Sequence, residues 1–191
     1  MDLYSLLLFV HISAAIAWIG SGLLIQILLT MAERRRDEAT FGALVDYTAG
    51  LGLKLFVPSS LVVVACGLGL VADGPWSFDQ LWLVLGLLGF LATFLTGAFV
   101  VKPRADRLAE LTAANDGLLT PAAMYEARKL LALGRIDYVV LVAVVFDMAV
   151  KPTGDDTAAL AVMALAIAGG TAYVLRRARR IEAPPAPVPV G

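Results

Sequence analysis

The chain has 191 residues, of which 60% are hydrophobic and only 16% charged, and its mean hydropathy is +0.83. A soluble domain of this length needs far more charged surface, so the composition excludes a soluble globular protein and predicts a polytopic membrane protein. The single cysteine, Cys66, excludes an internal disulfide, and the single histidine, His11, excludes a bis-histidine site within one chain. The first apolar run is too long for a cleavable signal peptide and should remain as an anchor.

Five apolar segments are long enough to be predicted as membrane-spanning helices. The predicted spans are approximately residues 3–31, 51–71, 81–101, 136–150 and 157–175. The fourth is the shortest, but Thr120-Pro121 is a favourable helix start, so a helix over Pro121 to Val150 is expected to enter the membrane from a cytoplasmic stalk. Ser77 to Gln80 resembles a capping box before the third span, and Asp155-Asp156 suits the first turn of the fifth.

The basic residues are distributed asymmetrically and predict the orientation. Every lysine and arginine except Lys151 falls in or beside the segments that follow spans 1, 3 and 5. The positive-inside rule then places these segments in the cytoplasm and the N-terminus outside the inner (plasma) membrane. Trp76, Phe78 and Trp82 would mark the outer interface, and residues 181–191, which are rich in proline, should form a disordered cytoplasmic tail. Residues 1–180 would form a single membrane domain.

The first predicted helix carries its polar and small residues on one stripe. His11, Ala15, Trp18, Gly22 and Gln26 recur at helical spacing. The apolar residues lying mostly off this stripe are Leu8, Ile12, Ile16, Ile19, Leu23 and Ile27. Because an unpartnered polar group in hydrocarbon costs a few kcal/mol, the stripe is expected to face protein or water.

Three side chains that can bind metals are predicted at similar membrane depth. With a rise of ~1.5 Å per residue, His11 lies roughly 12 Å below the outer end of the first helix, and Cys66 and Met163 fall near the same level. An imidazole, a thiolate and a thioether together would suit copper or a haem iron. The alternative is that Cys66 and Met163 fill the core and that His11 bonds a backbone carbonyl or a hydroxyl.

Other polar candidates lie near the ends of the spans. Asp147 and Lys151 are spaced i, i+4 and could form an ion or proton entrance or a simple ion pair at the helix end, with Lys151 extending to the interface. Lys54 and Asp137, near the cytoplasmic ends of spans 2 and 4, admit the same two interpretations. The arginine clusters are topology signals that can also contact anionic lipid, and no nucleic-acid partner is expected. No hydrolase or kinase motif is present in the sequence.

The pattern His11-Ile-x-x-Ala-x-x-Trp18-x-Gly20, followed by a basic loop, resembles a bacterial family of predicted integral membrane proteins of unknown function. Lys151-Pro152 near the end of the fourth span resembles the same family, and the resemblance covers residues 3–175. Helix 1 is more distantly similar to CopD-type copper-resistance proteins and to HemJ-type protoporphyrinogen oxidases. The HemJ similarity implies haem association for His11 and, at best, a functional lysine at Lys54.

These observations predict an all-α antiparallel bundle of five transmembrane helices with cytoplasmic helical extensions, in contact with the lipid bilayer. Two functions remain open. The first is a non-catalytic membrane scaffold or small transport-related subunit. The second is a redox protein that binds haem b or copper through His11, with Met163, Cys66 or the His11 of a second chain in a homo-oligomer as the other ligand and Trp18 nearby. The sequence does not decide whether the protein is an enzyme.

The charge asymmetry generates a topology prediction. A reporter enzyme that works only in the cytoplasm should be active when it is fused after Arg180, because the basic segments stay in the cytoplasm. An N-terminal tag should instead be accessible from outside. Protease accessibility in intact and permeabilised cells provides the measurement. A C-terminal reporter on the outer side would show that the number of spans or the orientation is wrong.

Overall fold

The computed structural model describes residues 2–115, 120–179 and 181, and this part of the chain folds into helices with short connections. We name five successive helices α1 to α5. Helix α1 is Leu3–Arg35, and α2 consists of the consecutive segments Glu38–Leu51, Gly52–Phe56 and Val57–Asp73. Helix α3 is Leu81–Ala113, α4 is Pro121–Val150 and α5 is Thr157–Ala178. The predicted all-helical class is confirmed.

Four helical stretches are long and apolar enough to cross a membrane: Leu3–Arg35, Lys54–Asp73, Leu81–Ala113 and Thr157–Ala178. They agree with predicted spans 1, 2, 3 and 5. Helix α4 is not among them, because its apolar C-terminal part also carries Arg135, Asp137 and Asp147. The helix itself nevertheless has the predicted bounds, Pro121 to Val150.

Local sequence signals account for several helix ends. The Thr120 hydroxyl accepts a hydrogen bond from the Ala123 backbone N–H at 3.2 Å, so the predicted N-cap of α4 is confirmed. Helix α3 begins one residue after Gln80, whose side-chain oxygen accepts from the Ser77 backbone N–H at 3.3 Å. Only this half of the predicted capping box forms, because Gln80 and not Ser77 occupies the N-cap position.

Helix α4 has the most varied packing in the described part of the chain. It contacts α1, α5 and both halves of α3, while the N-terminal half of α1 packs mainly against α2. We call the end that contains residues 2–4, 74–80 and 151–156 the Trp end. The opposite end, which contains residues 34–37 and the start of α4, is the basic end.

A compact apolar cluster lies at the basic end. Its buried members come from α1, the first segment of α2, the last part of α3 and the start of α4: Leu29, Ala32, Phe41, Leu108, Ala123, Met124, Ala127 and Leu131. Three of the contributing segments, Glu38–Leu51, Lys102–Ala113 and the first half of α4, carry charged residues on their outer faces. The cluster therefore joins the more polar parts of the helices into one unit.

Asp37 orders the turn between α1 and α2. Its carboxylate accepts the Thr40 backbone N–H at 3.0 Å and the Thr40 hydroxyl at 2.7 Å. The backbone hydrogen bond and then the hydroxyl bond from Thr40 hold the pKa of Asp37 below its usual value. The capping contribution is therefore present above the ordinary aspartate pKa and is lost as the pH falls through the lowered value.

The four stretches that are long and apolar enough to cross a membrane direct most of their apolar side chains outward. Only 11–17% of the residues in their most apolar windows are buried within the protein. The predicted off-stripe residues of α1 follow this pattern, since Ile12, Ile16 and Leu23 are exposed and Ile19 is half-buried. Such a surface would aggregate in water and is suited to contact with lipid chains.

The predicted disordered tail, residues 181–191, lies outside the described residues except for Ile181.

Close packing between α1 and α4 generates a testable prediction. A Cβ atom on Gly22 would overlap the hydroxyl oxygen of Tyr138, whereas a Cβ on Gly20 would have no atom within 4 Å. Gly22→Ala should therefore lower the free energy of unfolding by about 1–3 kcal/mol, as overpacking does. Thermal or denaturant unfolding in detergent would measure the loss.

Gly20→Ala is the matched control and should not destabilise, because it meets open space and alanine favours helix. Adding Tyr138→Phe to Gly22→Ala removes the clashing hydroxyl and should restore part of the loss. Equal effects of the Gly20 and Gly22 substitutions would show that α1 and α4 do not meet at this point.

Candidate functional site

His11 lies in the contact between α1 and α2. Its Nδ1 atom is 2.8 Å from the backbone carbonyl oxygen of Val63, and the ring packs beside Gly67, where a Cβ atom would lie 3.3 Å from Cε1. The glycine one turn after Val63 leaves the space that the imidazole ring occupies. The half-buried His11 side chain thus joins two helices.

The hydrogen bond also determines the tautomer of neutral His11. A carbonyl oxygen can only accept, so Nδ1 must carry the hydrogen and donate it. The second nitrogen, Nε2, then holds a lone pair. This is the arrangement in which a histidine can offer Nε2 to a metal ion or a haem iron while a carbonyl orients the ring.

The remaining polar-stripe residues face other helices. Trp18 makes an edge-to-face contact with Phe90 of α3, with 5.9 Å between ring centroids. Gly22 contacts Tyr138 of α4, and Gln26 lies beside Gly134 of the same helix. The prediction that the stripe faces protein is confirmed, but the stripe contacts three different helices in succession rather than one common cavity.

A set of polar contacts continues along α1 and α4 toward the basic end. The Arg135 guanidinium donates to the Thr30 hydroxyl at 3.0 Å and to the Glu33 carboxylate at 3.3 Å. Arg128 lies 3.6 Å from the same carboxylate. Closer to the middle of α1, the side-chain oxygen of Gln26 is buried and has no hydrogen-bond partner among the described residues. The contacts of Arg135 and Arg128 with α1 therefore fix the position of α1 along the axis of α4.

The other two predicted ligands lie in different surroundings. Cys66 is half-buried on α2, next in sequence to the glycine that receives His11. Met163 is buried and lines an apolar groove of about 450 Å³ between α4 and α5, together with Tyr138, Val142 and Val162. His11 is therefore placed against α2 and Met163 against α4. No group of three or more His, Cys, Asp and Glu side chains in residues 2–115, 120–179 and 181 is arranged to hold a metal ion.

Lys151 lies in a cluster of aromatic side chains at the Trp end. Its ammonium is 3.8 Å from the centroid of Trp76 and 5.3 Å from that of Trp82, and these two indoles meet edge to face at 5.2 Å. The Trp76 indole N–H donates to the Tyr4 hydroxyl at 3.1 Å. These contacts connect the start of α1, the loop before α3 and the end of α4 through cation–π and hydrogen-bond interactions.

Asp147 lies one turn before Lys151 and is completely buried, and within residues 2–115, 120–179 and 181 neither of its carboxyl oxygens has a hydrogen-bond partner. The expected ion pair between these two residues is wrong, because the Lys151 ammonium lies on Trp76 instead. Only the backbone connects them, through the Lys151 N–H and the Asp147 carbonyl at 2.7 Å. Lys54, the other predicted lysine, is exposed in the π-helical segment of α2.

The segment after Lys151 is also fixed in place. Pro152 is fully buried, and the Asp156 carboxylate accepts the Thr153 backbone N–H at 2.7 Å and the Thr153 hydroxyl at 2.8 Å. These hydrogen bonds, the backbone one first, hold the pKa of Asp156 below its usual value. The link between α4 and α5 is therefore short and is held in place by these hydrogen bonds.

The sequence pattern does not reveal several participants. Nothing in it singles out Tyr4 or Tyr138, although a tyrosine near a predicted interface is a usable signal. It places Trp76 and Trp82 only in an interfacial belt, although Trp82 is buried. It does not identify Glu33 as the counter-ion of Arg135, because their meeting depends on the packing of α1 on α4.

The comparisons with known proteins agree with this architecture. A family model described as "Predicted integral membrane protein (DUF2269)" matches residues 5–152, which include His11, Trp18, Asp147 and Lys151. A search of curated proteins and a search of solved structures each gave no significant match. The similarity of α1 to CopD-type and HemJ-type proteins therefore stays a prediction. Because the matched region extends over most of the chain, from α1 to the end of α4, the protein belongs to this family of predicted integral membrane proteins.

Proposed function

We propose that the protein is a non-catalytic scaffold or small transport-related subunit of the inner membrane, in which the polar residues of α1 hold the helices together. The observation that carries this proposal is the 2.8 Å hydrogen bond from His11 Nδ1 to the Val63 carbonyl oxygen. It satisfies the imidazole by a contact between helices. Trp18, Gly22 and Gln26 likewise pack against α3 or α4. Polar side chains on membrane helices commonly serve such contacts.

The proposed topology has five spans with the N-terminus outside and the C-terminus in the cytoplasm. Its support is the basic asymmetry of the sequence together with the length of α4, which reaches from the basic-end cluster to the Trp end and packs against α1, α3 and α5. The apolar second half of α4, residues 136–150, would complete the fourth span. The charged surface of the basic end would lie in the cytoplasm, and the bilayer is the partner of the outward apolar faces.

One observation favours a second candidate, a haem b or copper protein. The tautomer of His11 leaves Nε2 with a lone pair, which fits a single axial or metal ligand. Met163 packs in the groove between α4 and α5 and does not share the environment of His11. Of the proposed second ligands, Cys66 and the His11 of a second chain therefore fit better than Met163. When bound, such a group would supply electron transfer, and His11 would hold and orient it.

Two substitutions of His11 distinguish these candidates. Under the scaffold proposal, His11→Ala should lower the free energy of unfolding by about 0.6 kcal/mol, the typical worth of a hydrogen bond between membrane helices. His11→Gln keeps an N–H donor and should recover part of that loss. Visible spectra and metal analysis of protein produced with ample haem and copper should be the same for wild type and both variants.

The lipid-facing residue next to His11 provides the matched control. Ile12→Ala alters an exposed side chain on the same turn and should leave the contact between α1 and α2 intact. A Soret band or stoichiometric copper that is present in wild type, kept in Ile12→Ala and lost in both His11 variants would overturn the scaffold proposal in favour of the second candidate.

A further inference from the structure

The search for further sites leads to Asp147. Its side chain has no exposed surface, and both carboxyl oxygens lack a hydrogen-bond partner in the part of the chain that the structure describes. Oδ2 points toward the surface of α3, 3.4 Å from the position of a Cβ on Gly86. The Met148 side chain covers Gly86 from the same helix as Asp147. The carboxyl group is therefore enclosed by the contact between α3 and α4.

A charged carboxylate cannot be accommodated in this enclosure as it stands. Burying an unpaired carboxylate is much more costly than burying a neutral acid, and proteins avoid the cost by neutralising the group. The acid form removes the charge and gives the side chain a hydroxyl donor. Among the described residues, neither a cation nor an N–H donor lies at the two oxygens, and this is the arrangement expected for a bound proton.

Among the charged groups around Asp147, Lys151 is the nearest candidate counter-ion by its position in the fold. Helix α3 has no charged residue between Leu81 and Val101, and α5 has none between Thr157 and Leu175. At the Trp end, the charged residues of the neighbouring elements are acidic and exposed: Asp2 before α1, Asp73 at the end of α2, Asp79 before α3, and Asp155 and Asp156 before α5. Lys151, one helical turn along α4, has the opposite charge.

The backbone at Lys151 is itself unusual. It has φ 53° and ψ 57°, a left-handed conformation that is strained for a residue with a Cβ atom and that glycine or asparagine adopts more readily. This conformation ends α4. In it, the Lys151 side chain lies on Trp76 and Trp82, away from Asp147. Strained backbone of this kind is frequent at switch positions.

We propose that Asp147 is a proton-binding site and that Lys151, which lies on Trp76 and Trp82 while the proton is bound, becomes the counter-ion of Asp147 when the proton leaves. The proton departs from a carboxyl oxygen to water at the Trp end, and the ammonium moves one turn along α4 to the carboxylate. The exchange couples protonation to the contacts that connect α1, the loop before α3 and α4. This site is separate from His11 and holds under either proposed function.

Infrared spectroscopy of the full-length protein in lipid nanodiscs tests the proposal. At pH 7 wild type should show the carbonyl stretch of a protonated carboxylic acid, and the wild-type minus Asp147→Asn difference spectrum should contain that band. As the pH is raised, the band should disappear and the tryptophan fluorescence should change together with it, because Lys151 leaves the indoles. In Lys151→Gln the band should persist to higher pH than in wild type, because the carboxylate loses its counter-ion.

Asp137→Asn, which changes the other aspartate of α4, is the control and should keep the Asp147 band. A wild-type spectrum without a protonated carboxyl band at pH 7 would overturn the proposal whether or not Asp147→Asn folds. Complete loss of the band in Asp137→Asn would overturn it as well. If the band of Lys151→Gln disappears at the same pH as that of wild type, Lys151 is not the counter-ion.

Discussion

The close approach of α1 and α4 is the constraint on which the rest of the arrangement depends. At Gly22 and Gly134 one helix has no side chain, and the opposite helix places Tyr138 or Gln26 there. Toward the basic end the approach ends in the pairing of Arg135 with Glu33. Lipid chains are as apolar as leucine, so such contacts between membrane helices rely on close packing and hydrogen bonds rather than on hydrophobic burial. Because α4 also contacts α3 and α5, its position relative to α1 determines where both of those helices lie.

The two ends of the molecule use different interactions. At the basic end, a buried apolar cluster and ion pairs such as Arg104 with Glu126 at 3.2 Å join segments that carry charges on their outer faces. At the Trp end, aromatic rings surround one lysine, and a buried carboxyl group lies one turn below it. The contacts at the Trp end depend on how a few aromatic rings are oriented around one ammonium, whereas those at the basic end combine apolar burial with partly buried ion pairs.

The sequence predicted what depends on local chemistry. Hydropathy located the helices, Thr120-Pro121 located the start of α4, and the requirement to satisfy polar groups placed the stripe of α1 against protein. It could not predict the rotation of one helix about its axis relative to another, which decides that His11 meets Val63 and that Met163 faces α4. From the i, i+4 spacing, the sequence also suggested an ion pair between Lys151 and Asp147. That rule assumes continuing helix, and the left-handed backbone at Lys151 ends the helix there.

The π-helical segment Ile16–Gly20 gives α1 a change of register between His11 and Gly22. A π turn holds one residue more than an α turn, so residues after it are rotated by roughly 100° from the positions that an uninterrupted α-helix would give them. This rotation contributes to the change of partner from α2 at His11 to α4 at Gln26. In evolutionary terms, such a segment is equivalent to a one-residue insertion within a helix. Similar segments occur at Gly52–Phe56 and Gly97–Val101. Relatives that differ by a single-residue gap at these three places can therefore keep the same helices while presenting a different face of each to the neighbouring helix.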